Sequence, residues 1–356
     1  FDEAARVGRY GVEEYFEKSL AGQVGSLLLD RDLKGRWITG GARKIEPASD
    51  GVNLVLTLDR AVQFKAQDIL KRTIERTDAD SGSLVVIDPQ TGAVLAMANY
   101  PDFDPNQFLD VTDQAVFRNQ AVSEAYEPGS VFKPITMAAG LDAEAITPDE
   151  TYEDTGFAIY DEFVIKNALD RTFGIQTMTQ VLEQSINTGA IYVVNKTGAE
   201  KFLDTLKKFG FGSQSIITLP AEAPGNIQNL AGGGEVHYAT ASFGQGITVT
   251  ALQLASAFGA IANEGRLMKP RMVEKIIHPD GHEEIFAPQE LRQVISPRAA
   301  HMLSAMLVSV VEKGHGKRAG VSGYFIGGKT GTAQVSPSTA SATANERNPH
   351  LLTRIS

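Results

Sequence analysis

The sequence predicts an α+β fold, in which strands from distant parts of the chain share a sheet and helices fill the middle. Three features indicate this class: apolar runs of strand length before residue 100, helical periodicity between residues 177 and 313, and another apolar run near residue 330. The 356 residues suffice for one large domain or two, and 42% hydrophobic against 21% charged residues is ordinary for a protein with a packed core.

The early elements follow the order strand, helix, hairpin. The run LVLTLD (54–59) predicts a strand, and its last residue, Asp59, is a suitable N-cap for a helix. One face of that helix carries Val62, Ala66, Ile69, Leu70 and Ile74. Two apolar runs around a Pro/Gly turn, SLVVIDPQTGAVLAMANY (83–100), then predict a β-hairpin.

Helical patterns dominate the central part of the chain. They cover residues 177–196, 199–209, 250–264 and 297–313. The last of these helices starts at Pro297 and stops at Gly314, which are typical boundary residues. After it, YFIGGKTGTAQV (324–335) is predicted to form a strand.

Composition excludes several classes of function. The formal net charge of −10 argues against nucleic-acid binding, and the absence of cysteine excludes disulfides, thiolate metal sites and a Cys nucleophile. No run approaches the ~20 apolar residues that cross a bilayer. His278 and His282 are four residues apart but flank Pro279 and Gly281, so we expect no helical metal pair there and predict no metal site.

The segment GYFIGGKTGTAQ (323–334) permits two interpretations. Gly323-x-x-x-x-Gly328-Lys329-Thr330 matches the phosphate-binding P-loop, whereas Lys329-Thr330-Gly331 is a strand motif that holds a substrate carboxylate. A P-loop leads directly into a helix, and no amphipathic helix pattern follows Thr330. We therefore favour the second interpretation.

The second interpretation requires partner motifs, and they are present. EPGSVFKP contains Ser130-x-x-Lys133, and QSINTG contains Ser185-x-Asn187. The first members of the three motifs are separated by 55 and 144 residues. Ser-x-x-Lys, Ser-x-Asn and Lys-Thr-Gly in this order resemble the signature of penicillin-binding proteins and class A β-lactamases, although the middle residue of the second motif is usually Asp in the latter.

On these residues the chain resembles the class B penicillin-binding proteins, which are peptidoglycan D,D-transpeptidases. The resemblance runs from residue 52 to about 335 and includes LAMANYPDFDPN, RNQAVSEAYEPGSVFKP and FGQG at 243–246. GRYGVEEYFEKSLAGQVG resembles the end of the family's non-catalytic, dimerisation-type pedestal domain. Arg118-Asn119 together with the residues around Ser130 is most similar to the division, or septal, type.

The resemblance implies a β-lactamase/transpeptidase-like antiparallel sheet flanked by helices, plus an all-helical subdomain. The implied domains are the end of the pedestal at 1–51, the penicillin-binding transpeptidase domain at 52–335 and a polar tail at 336–356. The tail has neither a strand nor a helix pattern, so we expect it to be disordered. Because two strands and a helix follow Lys-Thr-Gly in this family, we expect the chain to be a fragment that lacks them and an N-terminal anchor.

Ser130 is the candidate nucleophile. A serine hydroxyl needs a base, and Lys133, three residues later, lies on the same face of a helix. Pro134 indicates that Ser130 opens this helix with an irregular first turn, which leaves its N–H free for an oxyanion. Lys133 can act as the base only when neutral, and burial and the nearby Lys329 would both lower its pKa.

The second motif has a proton-transfer role in this interpretation. Ser185 would pass a proton between Lys133 and the reacting nitrogen. Asn187 would orient Lys133 and hold a substrate amide, since its side chain has both a donor and an acceptor.

The third motif has a substrate-binding role. Lys329, Thr330 and Thr332 suit a terminal carboxylate, and Gly331 would let a substrate backbone lie against the strand. The resemblance implies an oxyanion hole formed by the N–H groups of Ser130 and Thr332.

The implied reaction joins two stem peptides of peptidoglycan. Ser130 attacks the carbonyl between the terminal D-alanines, D-Ala leaves, and an amine of a second stem takes the acyl group; hydrolysis would be a D,D-carboxypeptidase side activity. β-Lactams would trap the acyl-enzyme, and no cofactor is required. The resemblance also implies a membrane glycosyltransferase partner and a location on the extracytoplasmic face of the bacterial cytoplasmic membrane.

Two alternatives share the fold. A serine β-lactamase would need a carboxylate that activates a deacylating water, and the nearest pattern, Glu200-x-x-Leu203-Asp204, is expected to be helix surface charge. A non-catalytic β-lactam-sensing domain would be acylated without turnover. The pedestal-like N-terminal segment favours the transpeptidase over both.

Overall fold

Helices and antiparallel strand pairs build the protein in a computed structural model, which describes residues 7–29, 34, 43–160 and 162–333. The α-helices are α1 Gly11–Tyr15, α2 Glu17–Leu20, α3 Arg60–Thr77, α4 Gln120–Ser123, α5 Lys133–Asp142, α6 Met178–Gln184, α7 Asn187–Thr197, α8 Ala199–Lys208, α9 Glu235–Ala241, α10 Ala251–Ala262 and α11 Pro297–Glu312. The strands are β1 Ser26–Leu29, β2 Arg43–Glu46, β3 Asn53–Leu56, β4 Gly82–Ile87, β5 Val94–Tyr100, β6 Thr151–Asp154, β7 Phe157–Tyr160, β8 Phe163–Lys166, β9 Gly174–Thr177, β10 Arg266–Met268, β11 Val273–Ile277, β12 Glu283–Ile285 and β13 Glu290–Gln293. The predicted disordered tail, 336–356, lies outside the described residues.

The predicted early strand, helix and hairpin are confirmed. Asp59 caps α3 by accepting hydrogen bonds from the N–H groups of Ala61 and Val62, and β4 pairs antiparallel with β5. The buried residues of α3 pack against this hairpin. Ile69 was predicted on the buried face but is 47% exposed. It lies about 100° around the helix from Leu70, beyond the side that the hairpin covers.

Strands from distant segments share a sheet, as predicted, but the distant strand is β11 and not the run near residue 330. β3 pairs antiparallel with β11, which comes more than 200 residues later and also pairs with β12. The residue after β3 continues this contact, because the Thr57 hydroxyl donates to the carbonyls of Val94 and Arg271 at 2.7 and 3.0 Å. One side-chain hydroxyl thereby connects three separate segments.

The core of the helical region is α5, whose residues from Lys133 to Leu141 are all buried. A helix that is buried on every side is expected to be mostly apolar, and α7, α8 and α11 surround α5. Lys133, at its first turn, is 0% exposed. A lysine ammonium is rarely buried without a partner, so this residue is set apart from the rest of the core.

The predicted helix over 177–196 is two helices. Ser185, with φ 58° and ψ 45°, lies in the left-handed region between α6 and α7 and ends the first helix. The apolar periodicity continues across the break because both helices bury one face in the same core. The predictions for α8, α10 and α11 agree with the structure to within one or two residues at each end.

The strand predicted at 324–335 is not present in its described part. Residues 324–333 form no strand, and the Gly328 N–H donates to the Leu307 carbonyl of α11 at 3.2 Å. A strand needs a neighbouring ladder, and here the backbone bonds to a helix instead. In the described residues, no helix combines the length and apolar character that a membrane crossing requires.

Candidate active site

Ser130 lies in a short 3-10 helix, Gly129–Phe132, that leads directly into α5 at Lys133. This is the irregular first turn that the sequence predicted. As the second residue of that turn, Ser130 has an N–H group without an intrahelical acceptor. The turn therefore presents both the hydroxyl and a free donor of the same residue.

Close backbone contacts hold this turn against the Lys-Thr-Gly segment. Gly129 has φ +57°, and a Cβ added there would lie 2.5 Å from the Thr332 carbonyl oxygen. A Cβ on Gly244 would lie 2.2 Å from the Gly129 carbonyl oxygen. Three backbone segments thus meet at distances that only glycine permits.

Gly331 has a different neighbour from the one predicted. A Cβ there would lie 2.4 Å from a methyl of Val131, on the turn that carries the nucleophile. On its Cβ side the glycine lets Val131 approach, and Gly331 also lines the cavity, so its predicted contact with a substrate backbone stays a prediction.

Ser185 contacts both lysines of the motifs, Lys133 and Lys329. Its Oγ accepts hydrogen bonds from Lys329 Nζ at 2.9 Å and from Lys133 Nζ at 3.2 Å. Its backbone carbonyl accepts a further bond from Lys133 Nζ at 2.5 Å. The left-handed conformation of Ser185 turns both its carbonyl and its hydroxyl toward the lysines.

Burial lowers the pKa of both lysines. For Lys133, desolvation lowers the pKa well below that of an ordinary lysine, and repulsion from Lys329 adds to it. Burial lowers the pKa of Lys329 to about 8. Lys133 is therefore the group that loses its proton first, and Lys329 is the group that keeps its charge near neutral pH.

These two states define a direction for proton transfer. A charged Lys329 donates to Ser185 Oγ, and once Lys133 is neutral its 3.2 Å contact with Ser185 can reverse, so that the Ser185 hydroxyl donates to the Nζ lone pair of Lys133. The same contacts can carry a proton from Lys133 back toward the substrate side. The structure places Ser185 in contact with Lys133, and its predicted transfer of a proton to the reacting nitrogen stays a prediction.

Asn187 lines the cavity but donates its hydrogen bond to a residue other than Lys133, its predicted partner. Its Nδ2 donates to the Lys166 carbonyl at 3.0 Å, and no hydrogen bond joins it to Lys133 within the described residues. The orienting contact to Lys133 comes from the Ser185 carbonyl instead, because Lys133 Nζ reaches the residue that ends α6 and not the first residue of α7.

A cavity of about 810 Å³ opens beside Ser130 and Ser185. The polar and charged residues that line it are Ser130, Lys166, Asn167, Arg171, Gln184, Ser185, Asn187, Thr240, Gln245, His315, Thr330 and Thr332. No Asp or Glu belongs to this lining in the described part of the chain. An anionic substrate therefore meets cationic and neutral groups there.

Sequence reasoning missed two residues behind the site, Asp154 and Asn167. Asn167 lines the cavity, and its side chain bonds to the start of α7 and to the buried Asp154. Neither residue belongs to a short motif. The contacts that join them to each other and to α7 span 13 to 34 residues along the chain, so single-sequence spacing carried no signal for them.

Comparisons with known proteins agree with the geometry. The family model described as penicillin binding protein transpeptidase domain matches residues 82–353. Penicillin-binding protein PbpB of Mycolicibacterium smegmatis is 35% identical over 335 residues, which cover 92% of this chain and 52% of that protein. The probable peptidoglycan D,D-transpeptidase PenA of Neisseria flavescens is 30% identical over 330 residues, with coverage of 92% and 79%.

The fold is also similar to solved structures. The crystal structure of penicillin binding protein 3 from Mycobacterium tuberculosis complexed with aztreonam superposes with a TM-score of 0.82 at 32% identity, covering 95% of this chain and 73% of that one. The chain spans about half the length of the first curated relatives that it matches.

Proposed function

The chain belongs to the penicillin-binding protein transpeptidase family, and on this premise we propose that it carries the serine D,D-transpeptidase activity of a peptidoglycan cross-linking enzyme. The observation that carries the proposal is the convergence of Lys133 and Lys329 on Ser185 Oγ, beside the Ser130 turn. A structural role does not require one buried and one half-buried lysine at the same hydroxyl, since each costs desolvation free energy.

In the acylation step, Ser130 Oγ attacks the carbonyl carbon between two terminal D-alanines. Neutral Lys133 takes the hydroxyl proton, and the N–H groups of Ser130 and Thr332 stabilise the oxyanion. The C–N bond then breaks, and the leaving D-Ala nitrogen receives a proton from Lys133 through Ser185. The products are an ester on Ser130 and free D-Ala.

In the second step, the amine of another stem peptide attacks this ester. The amine proton passes to Ser185 and Lys133, a new amide bond forms, and Ser130 regains its proton. Water in place of the amine gives the D,D-carboxypeptidase side reaction. Charged Lys329, with the Thr330 and Thr332 hydroxyls, would hold the terminal carboxylate of the donor in the first step.

The cavity composition favours this function over a β-lactamase. Rapid deacylation needs a carboxylate near the ester, and the described lining has none. Asp204 pairs instead with Lys208 at 2.9 Å on the exposed side of α8, and Glu200 is also exposed there. β-Lactams are thus proposed to acylate Ser130 and remain attached. The names of the relatives favour a catalytic transpeptidase over a β-lactam sensor.

The biological setting is part of the proposal. Stem peptides ending in D-Ala-D-Ala are found outside the cytoplasmic membrane, so we place the activity on its extracytoplasmic face. We further propose a membrane glycosyltransferase as the partner that supplies new glycan strands, and a role in cell division, which the septal-type residues around Ser130 support.

A transfer assay tests the proposed function. The full protein is given a stem peptide ending in D-Ala-D-Ala and an acceptor amine, and both D-Ala release and the cross-linked product are measured by mass spectrometry. Equal release and cross-linking, both lost in Ser130→Ala, would support the transpeptidase. Release by hydrolysis alone would indicate a carboxypeptidase, and no release from the wild type would contradict the proposal.

A further inference from the structure

We propose that Asn167 and Asp154 are positioning residues of this acyl-transfer site, which fix the start of α7 and thereby hold Ser185 between the two lysines. The inference rests on the proposed function. Neither residue belongs to the three motifs, and neither is expected to touch the reacting atoms.

Asn167 acts as the N-cap of α7 from a remote position. The residue at the local cap position, Ile186, provides no side-chain acceptor. Asn167 Oδ1 accepts hydrogen bonds from the N–H groups of Asn187 and Thr188 at 3.0 and 3.1 Å. Two of the otherwise unpaired donors of the helix are thereby satisfied by a residue that follows β8.

Asp154 holds Asn167 in this orientation. Asn167 Nδ2 donates to both carboxylate oxygens of Asp154 at 3.0 Å, so the amide oxygen must face the helix. Thr188 Oγ1 is 2.5 Å from Asp154 Oδ1, and the Phe173 N–H donates to Oδ2 at 2.7 Å. Asp154 is 1% exposed, so this buried and hydrogen-bonded carboxylate holds the capping side chain of Asn167 in a fixed position.

Asp154 also favours its charged form in this environment. Burial raises the pKa of Asp154, but the hydrogen bonds from Thr188 and from the Phe173 and Gly156 N–H groups outweigh it and lower the pKa overall. An ionised carboxylate accepts all of these donors at once. The capping geometry is therefore maintained at neutral pH.

Ser185 lies only two residues before Asn187, the first residue of α7, so the hydrogen bonds at the start of α7 also restrain Ser185. Ser185 ends α6 and Asn187 begins α7, so Ser185 is held from both sides only if both helix ends are fixed. The start of α7 donates three hydrogen bonds to Asn167 and Lys166, two from backbone N–H groups to Asn167 Oδ1 and one from the Asn187 side chain to the Lys166 carbonyl. Loss of these bonds would let Ser185 Oγ move away from its distances of 2.9 and 3.2 Å to the lysines.

A series of variants tests this inference in the full protein. Acylation by a chromogenic cephalosporin is measured at several concentrations, which separates the non-covalent dissociation constant from the acylation rate constant k2. In Asn167→Leu we expect k2 to fall about 10-fold or more, because small displacements of a proton-transfer group are costly, while the dissociation constant changes much less. Thr188→Val, which removes one donor to Asp154 and does not line the cavity, should lower k2 by a smaller factor.

Conservative and remote variants complete the test. Asn167→Asp keeps an acceptor for both α7 N–H groups but replaces the donor to Asp154 with a second carboxylate, so it should lower k2. Adding Asp154→Asn restores a donor between the two side chains and should recover part of k2. Asn195→Leu removes a hydrogen bond to the Tyr160 hydroxyl at the far end of α7 and should leave k2 unchanged. If Asn167→Leu does not fold, Thr188→Val and Asn167→Asp still report k2.

The outcomes separate the inference from the proposed function. Wild-type k2 in Asn167→Leu and Thr188→Val, or an equal loss in Asn195→Leu, would overturn the positioning role. A loss confined to the dissociation constant would also overturn it. If wild-type protein is not acylated at all, the proposed function fails and not the positioning role alone.

Discussion

Lys133 and Lys329 have the same side chain but different environments. Lys133 is wholly buried, whereas Lys329 is half-buried and donates to the Ser185 hydroxyl at 2.9 Å. Proximity of two like charges lowers the pKa of the more buried one further. The two lysines therefore have different roles: Lys133 is available as a base, and Lys329 is a fixed positive charge.

Arginine substitutions separate these roles. Lys133→Arg keeps the charge but cannot deprotonate, so we expect k2 to fall by about 10²-fold or more. Lys329→Arg also keeps the charge, which is all that its role requires, and we expect a loss of about 10-fold at most. Burst measurements with a reporter β-lactam give both values. Similar losses in the two variants would show that Lys133 is not the base.

The pH dependence of acylation follows from the same pair. The rate should rise with pH as Lys133 loses its proton, which happens well below the pKa of an ordinary lysine. It should fall again as pH increases through about 8, where Lys329 loses the charge that holds the substrate carboxylate. In Lys329→Arg the alkaline decrease should move to higher pH, because arginine does not titrate there. A wild-type rate that still increases above pH 9 would contradict this assignment.

At the scale of elements, the site depends on one close contact between the nucleophile turn and the Lys-Thr-Gly segment. Gly129→Ala combines an unfavourable φ of +57° with a collision at the Thr332 carbonyl. We expect it to lower the free energy of unfolding by about 3 kcal/mol or more. It should also separate the two N–H groups of the oxyanion hole and slow acylation. Thermal unfolding and k2 measure the two effects.

Gly281→Ala is the matched control for this prediction. Gly281 also has a positive φ, of +85°, but has open space around its Cβ position in the turn between β11 and β12. We expect it to cost about 1–2 kcal/mol from backbone conformation alone, with unchanged k2. An equal effect of both variants on k2 would show that the close approach at Gly129 is not important for the site.

Particular elements show what the sequence could and could not predict. Helix limits at Pro297 and the Asp59 cap were predictable because local chemistry determines them. The break at Ser185 was not, since neither Gly nor Pro marks it and both helices share a buried face. The three motifs predicted, from residue types and order, side chains that the structure brings together at one cavity, whereas the partner of Asn187 and the neighbours of Gly331 depend on tertiary contacts.

At the scale of the whole molecule, charge is distributed unevenly. The chain has a net charge of −10, yet no described residue that lines the cavity is acidic. An acyl-enzyme formed there lacks a local carboxylate base for water. We therefore expect a penicilloyl adduct to persist for far longer than the minutes in which a β-lactamase would release it. Intact-protein mass spectrometry after removal of free drug measures this lifetime.

In the proposed reaction, Ser130 is the acylated nucleophile and the Lys133–Ser185–Lys329 cluster activates it. Peptide mapping of the penicillin-treated full protein by tandem mass spectrometry tests this assignment. We expect a single penicilloyl group on Ser130 and no adduct in Ser130→Ala. An adduct on another residue, or stoichiometric labelling of Ser130→Ala, would contradict it.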